Sequence, residues 1–152
     1  MAVFAGIPVR HLDVFPEPVY ALAPPTPILD FDVPKRPDGS MPQARDKVTG
    51  RLLWELLIVD TDERARKKSK TVSVKFAADH QPVLPENTSG FPLTPVEFVG
   101  LVAVPYIDAS NLRIEDGKIK GRPSQMWSFR AEGMVAPGQS STGKADARKA
   151  VA

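Results

Sequence analysis

Apolar and polar positions alternate along this chain in a few short stretches, and they do so with a period of two. The strongest is "RLLWELLIVD", residues 51 to 60. There Trp54, Leu56 and Ile58 share one face, while Leu53, Leu57 and Val59 partly cover the other. An apolar run of this length fits a buried helix as well as a strand. Thr49-Gly50 before it and Asp60-Thr61-Asp62 after it are turn residues, and they favour the strand. "KTVSVKFAAD", 70 to 79, sets Val72, Val74 and Phe76 against Thr71, Ser73 and Lys75. "VEFVGLVAVPYI", 96 to 107, predicts a long strand, bent or bulged at Gly100. "MWSFRAEGM", 126 to 134, points Trp127, Phe129 and Ala131 inward, and "VYALA", 19 to 23, alternates around Tyr20 and Leu22. "PPTP" breaks that last strand, and "ILDFD", 28 to 32, is a candidate to extend it.

The segments between are loops. Residues 33 to 50 and 80 to 95 are rich in Pro, Gly and charge, and the chain carries 16 prolines in all. Proline removes a backbone donor from helix and sheet ladders alike, so long helices are disfavoured. "DASNLRIEDGKIKGRPSQ", 108 to 125, contains Asp116-Gly117 and predicts a hairpin excursion. Five principal strands, one kinked at a glycine, suit a small closed barrel, because closure removes exposed edges. The expected fold is therefore mainly β: a five-stranded, OB-like Greek-key barrel over residues 1 to 135, with a β-sandwich as the alternative. Residues 136 to 152 are small and polar without a core pattern, and predict a disordered basic tail.

Composition narrows the function classes. At 42% apolar and 25% charged the chain is ordinary for a globular domain, and 152 residues suffice for one core. It contains no cysteine, which removes disulfides, thiolate metal sites and cysteine nucleophiles together. No apolar run reaches the roughly 20 residues that cross a bilayer. The start, "MAVFAGIPVRHLDVF", lacks the basic and apolar regions of a signal peptide, so a cytoplasmic protein with no membrane partner is expected. Net charge is +2, and Lys144, Arg148 and Lys149 against Asp146 supply all of it from the tail. Residues 1 to 135 balance 17 basic against 17 acidic side chains, so attraction to phosphate must come from local clustering.

Catalytic chemistry finds little support. "GQSSTGKA", Gly138 to Ala145, has the spacing of a phosphate-binding loop, but Ala145 replaces the magnesium-binding hydroxyl and no strand leads in. His11 and His80 are the only histidines and lie far apart in sequence. Asp30/Asp32 and Asp60/Asp62 sit where turns favour aspartate, and no calcium-loop spacing follows either pair. No activated nucleophile beside an orienting base is legible. The expectation is a non-enzymatic protein without cofactor, metal or catalytic residues.

One cluster stands out. In "DERARKKSKTVSVKF", 62 to 76, five of the seven residues from Arg64 to Lys70 are basic. Arg64, Arg66, Lys67, Lys68 and Lys70 occupy one strand-to-strand connector, and Lys75 continues it on the polar face of the next strand. Single-strand binders combine such a basic groove with aromatic platforms for stacking bases. Tyr106 and Phe91 are placed for that role, in or beside loops. Trp54, Phe76, Phe98, Trp127 and Phe129 are expected in the core. A solvated loop that keeps two apolar strands soluble, tempered by Asp60, Asp62 and Glu63, explains the same residues. Contact through them would fall mostly on phosphates and read little sequence.

The order of the segments adds a further pointer. "VFPEPVYAL", "DKVTGRLLWELLIVDTDERARKKSKTVSVKFAAD", "PVEFVGLVAVPYID" and "MWSFRAEGM" follow a pattern of turn, W-E-x-x-x-x-D, basic stretch, V-x-V-K, F-x-G-L and S-F-R-A-x-G. Over roughly residues 14 to 135 this resembles a family encoded on integrative plasmids and phage-like elements of actinomycetes, the plasmid replication, integration and excision activators. The resemblance implies an accessory or regulatory role in DNA transactions of a mobile element, and no catalytic signature. Direct contact with nucleic acid, single-stranded DNA above all, is one way to act. Another is a protein-interaction module whose loops, with Leu84, Phe91 and Leu93, dock on a replication initiator or recombinase. A structural phage-type component is a third.

Overall fold

Strand β4 (Leu53–Asp60) places Trp54, Leu56 and Ile58 in the core, and β5 (Thr71–Ala77) pairs antiparallel with it, placing Val74 and Phe76 beside them. These are the alternations legible in the sequence, and the computed structural model, which describes residues 6–65 and 70–139, keeps them. The chain begins with β1 (Ile7–Pro8) and a single helical turn, α1 (His11–Val14). Then come β2 (Val19–Ala21) and β3 (Thr26–Pro27), both paired with β4. After β5 and a proline-rich loop follow β6 (Thr94–Val99), β7 (Val102–Asp108), β8 (Arg113–Glu115), β9 (Lys118–Lys120), β10 (Ser124–Ala131) and β11 (Gly133–Val135).

Nine strands form one strongly curled sheet, a half-barrel in shape, in the order β1-β7-β10-β5-β4-β2-β6-β11 with β3 on the flank of β4. The expected five strands become eleven among the described residues for a physical reason. Gly100, at φ +63°, bends the strand 94–108 into β6 and β7, and Glu132 interrupts its partner between β10 and β11. One antiparallel register nevertheless runs through both halves, from Val135↔Glu97 to Ser124↔Asp108. The bend lets β6 join β2 while β10, paired with β7, joins β5 in parallel.

The core is Phe15, Val19, Ala21, Trp54, Leu56, Ile58, Val74, Phe76, Val96, Phe98, Leu101 and Ala131. Helix α1 closes it from the side: Phe15 lies 5.7 Å from Phe129 and 6.1 Å from Phe98, ring centre to ring centre. His11 is buried too, and its Nδ1 accepts the Phe98 backbone N–H at 3.0 Å. Two expectations of facing are corrected here. In β2 the buried residues are Val19 and Ala21, while Leu22 falls outside the strand and is exposed. Residues 28 to 32 form no strand, only an isolated bridge between Leu29 and Gln43.

Candidate nucleic-acid interface

Strands β5 and β10 run parallel and share three registered pairs, Phe129↔Val74, Arg130↔Lys75 and Ala131↔Phe76. Toward their N-terminal ends they separate. β5 keeps its pairing with β4 as far as Thr71, and β10 keeps its pairing with β7 as far as Ser124. Between them opens a cleft of about 680 Å³ with Thr71, Ser73 and Lys75 on one wall and Met126, Trp127 and Tyr106 on the other. β1 covers only Val102 and Ala103 of β7, so among the described residues the ribbon of Val104–Asp108 with Ser124–Ser128 has no strand on either side.

That geometry overturns the inward placement of Trp127. Its alternation with Phe129 and Ala131 is real, but no strand lies over it, and it is 45% exposed. Tyr106 lies in β7, within the strand expected over 96–107, and is 46% exposed, with Met126 directly opposite it. Ile107 is exposed on the same ribbon. Aromatic and apolar side chains of this size, grouped at an open cleft, mark a contact surface more often than isolated exposed residues do. On the β5 wall, Ser73 donates from its hydroxyl to Glu55 Oε1 at 2.6 Å, and Lys75 stands opposite Glu55 on one side and Arg130 on the other.

The residues singled out from the sequence are distributed unevenly. Lys75 is exposed at the cleft, and Lys70 is exposed at the start of β5, where its carbonyl accepts the Asp60 N–H at 2.7 Å. Arg66, Lys67 and Lys68 lie outside the described residues. Arg64 is not an isolated cation: its Nε donates to Asp62 Oδ1 at 3.1 Å and its Nη2 to Oδ2 at 3.2 Å. The Arg64 side chain and backbone N–H hold the Asp62 carboxyl below its ordinary range. With Glu17 and Glu63 nearby, that end of the connector is acidic on balance, and the positive character shifts toward Lys70.

The topology adds cations that the sequence did not assign. Because β5 and β10 are parallel, the β4–β5 connector and the β7–β10 connector leave the sheet at the same end. The second carries the hairpin β8–β9 with Arg113, Lys118, Lys120 and Arg122. Among the described residues the second connector is basic on balance, and it enters the sheet at the end where β5 and β10 separate. Of the residues considered for protein docking, Leu84 packs against the core, Leu93 is half-buried, and Phe91 stacks on Tyr20 at 5.6 Å while remaining 59% exposed.

Among the described residues no three His, Asp or Glu side chains gather as a metal site would require, and no helix is long and apolar enough to cross a membrane. His80 is exposed and His11 is committed to the core. No protein-family model, no curated protein and no solved structure matches this chain.

Proposed function

We propose that this protein is a non-enzymatic accessory factor that binds single-stranded nucleic acid across the β5/β10 cleft, in the service of a mobile genetic element. The observation that carries the reading is Trp127 and Tyr106, half-exposed at a cleft whose other wall presents Lys75, with Lys70 exposed just before that strand begins. Stacked bases need an aromatic face and the phosphates beside them need cations. Tyr106 with Met126 on one face of the ribbon and Trp127 on the other all reach the cleft, and Lys75, which also faces Glu55, stands on its β5 wall. The circuit of pairings supports the same reading by analogy of fold. Taking β6–β7 and β10–β11 as single bent strands, the order β2, β4, β5, β10–β11, β6–β7 and back to β2 has one parallel contact, between third and fifth strands. That order is like the one of an OB-type barrel, whose second and third strands, here β4 and β5, and loops between first and second and between fourth and fifth strands take oligonucleotides; β5 is one wall of the cleft. The mobile-element context rests on the likeness in segment order to the replication, integration and excision activators. A cytoplasmic location goes with that role.

The test is loss of charge at Lys70 and Lys75. Lys70→Gln with Lys75→Gln replaces exposed side chains without setting a second carboxylate opposite Glu55, so the melting temperature should change little, while affinity for a 30-base single strand should fall several-fold at low salt. Unchanged affinity in a folded double variant contradicts the proposal. A pull-down from nuclease-treated extract separates it from docking on an initiator or recombinase, since only a protein partner survives the nuclease.

A further inference from the structure

Hairpin β8–β9 forms a two-stranded sheet by itself, and all six of its strand residues are exposed. Asp116 and Gly117, at φ +52° and +70°, turn it as the paired left-handed conformation of a tight hairpin requires. Its base is fixed as well. Gly121 lies so close to Asn111 that a Cβ there would sit 2.1 Å from the Asn111 carbonyl oxygen, and the Asn111 side chain donates to the Arg122 carbonyl at 3.1 Å. The hairpin is therefore held in shape at both ends, yet it contributes nothing to the core.

Its two faces differ. Ile114 and Ile119 are directly opposite each other and are 79% and 75% exposed. Arg113, Lys120, Glu115 and Lys118 alternate with them on the other face. The connector 109–123 holds four basic and two acidic residues. Arg113 is paired with Glu115 at 2.8 Å, while Lys118, Lys120 and Arg122 have no carboxylate partner among the described residues. An isolated hairpin is marginal in water, and the cross-strand contact of Ile114 with Ile119 stabilises it only modestly while leaving both side chains largely in solvent. That pair needs an apolar surface to cover, set within a polyanion that matches the cations around it.

The geometry points to a ligand of defined class: a junction between single-stranded and duplex DNA, with the single strand in the β5/β10 cleft and the duplex end against the β8–β9 hairpin. This rests on the single-strand reading above. A duplex interrupted by a single strand exposes the face of its last base pair, an apolar surface ringed by phosphates. Ile114 and Ile119 cap that face without the cost of unstacking a base step, which apolar wedges pay inside a continuous duplex. Lys118, Lys120 and Arg122 then meet phosphates of both strands. The chain from Asp108 to the turn spans eight residues, so the hairpin reaches at most about 26 Å from the ribbon that bears Trp127 and Tyr106. That reach covers the width of a duplex end.

The experiment compares three labelled DNAs of equal strand length: a single strand, a full duplex, and a half duplex carrying a single-stranded tail. The protein should bind the tailed duplex about tenfold more tightly than either of the others. Ile114→Ser with Ile119→Ser should abolish that advantage while single-strand affinity stays within about twofold, because both side chains are exposed. Lys118→Glu with Lys120→Glu should do the same through a different face, so failure of one variant to fold leaves the proposal testable. Single-strand binding without a preference for the tailed DNA, or a preference that survives both variants, overturns the junction and leaves the cleft reading standing. No binding to any single strand overturns both. A dimer in sedimentation that the isoleucine variant dissociates overturns the junction as well, because a second copy would then cover that face.

Discussion

Trp127→Ala separates binding from folding. The chain has two tryptophans, in opposite surroundings. Trp54 is 9% exposed and its Nε1 donates to the Ala78 carbonyl at 2.9 Å; Trp127 is 45% exposed on the unsupported ribbon. Truncating Trp54 empties part of the core and should cost about 3–5 kcal/mol. For Trp127, only the covered half of a ring of roughly 200 Å² is lost, about 100 Å², which sets an upper limit near 2.5 kcal/mol at about 25 cal/mol per Å². Stacking of one base on an aromatic ring contributes about 1–3 kcal/mol, so Trp127→Ala should weaken single-strand binding about 5- to 150-fold. The assay is anisotropy of a labelled strand, read well below the melting midpoint of the variant, where loss of folded protein cannot mimic loss of affinity. In a Trp54→Phe background the remaining emission comes from Trp127, and a saturating strand should quench it. A folded Trp127→Ala protein that binds within twofold of the parent, or Trp127 emission indifferent to the strand, refutes the stacking.

Other expectations concern the frame that holds the cleft. Burial pushes the His11 imidazole pKa down, against the opposing pull of Glu97 and Asp60. The unfolded chain therefore takes up a proton more readily, so stability present above about pH 6.5 should be lost as pH falls from there through the lowered folded value. Urea midpoints at pH 7.5 and 5.5 measure this, and His11→Gln should flatten that part of the profile. Asp46 is buried, accepts from the Thr49 hydroxyl at 2.8 Å and pairs with Arg130 at 3.1 Å, tying the long 33–50 loop to β10. Those partners, the Thr49 hydroxyl first, hold its carboxyl below the ordinary range, and Asp46→Ala should cost about 1–3 kcal/mol by chemical denaturation. Gly100→Val puts a branched side chain at φ +63°, where even a Cβ meets the Glu132 side chain at 2.6 Å, and should lower stability by about 1–3 kcal/mol in the same assay.

Much of the frame was legible from alternation together with flanking turn residues, which decided for a strand at 51 to 60. Trp54, Leu56 and Ile58, then Val74 and Phe76, leave one parity apolar, and Gly100 and Asp116-Gly117 mark the bend and the turn by their backbone freedom. "VYALA" is apolar in both parities, so pattern could not choose between Tyr20/Leu22 and Val19/Ala21; packing between β4 and β6 chose the latter. Helix α1 is a single turn and shows no period to detect. The cleft was hidden for a related reason. Parity tells which way Trp127 points, but burial requires a neighbouring strand, and β5 leaves β10 after Phe129. The Arg64–Asp62 pair likewise depends on a turn, Ala65 N–H to the Asp62 carbonyl at 3.0 Å, that residue types alone do not specify.

The central claim is that the β5/β10 cleft binds single-stranded nucleic acid through phosphates and stacked bases. Its most direct test is anisotropy of a fluorescent 30-base strand, with a duplex of equal length beside it, titrated with the protein at several salt concentrations. The account predicts low-micromolar binding to the single strand, weaker binding to the blunt duplex, and a log–log salt slope of about 0.7 for each phosphate contacted. No binding even at low salt would contradict it, and would leave the basic connector as a solvated loop.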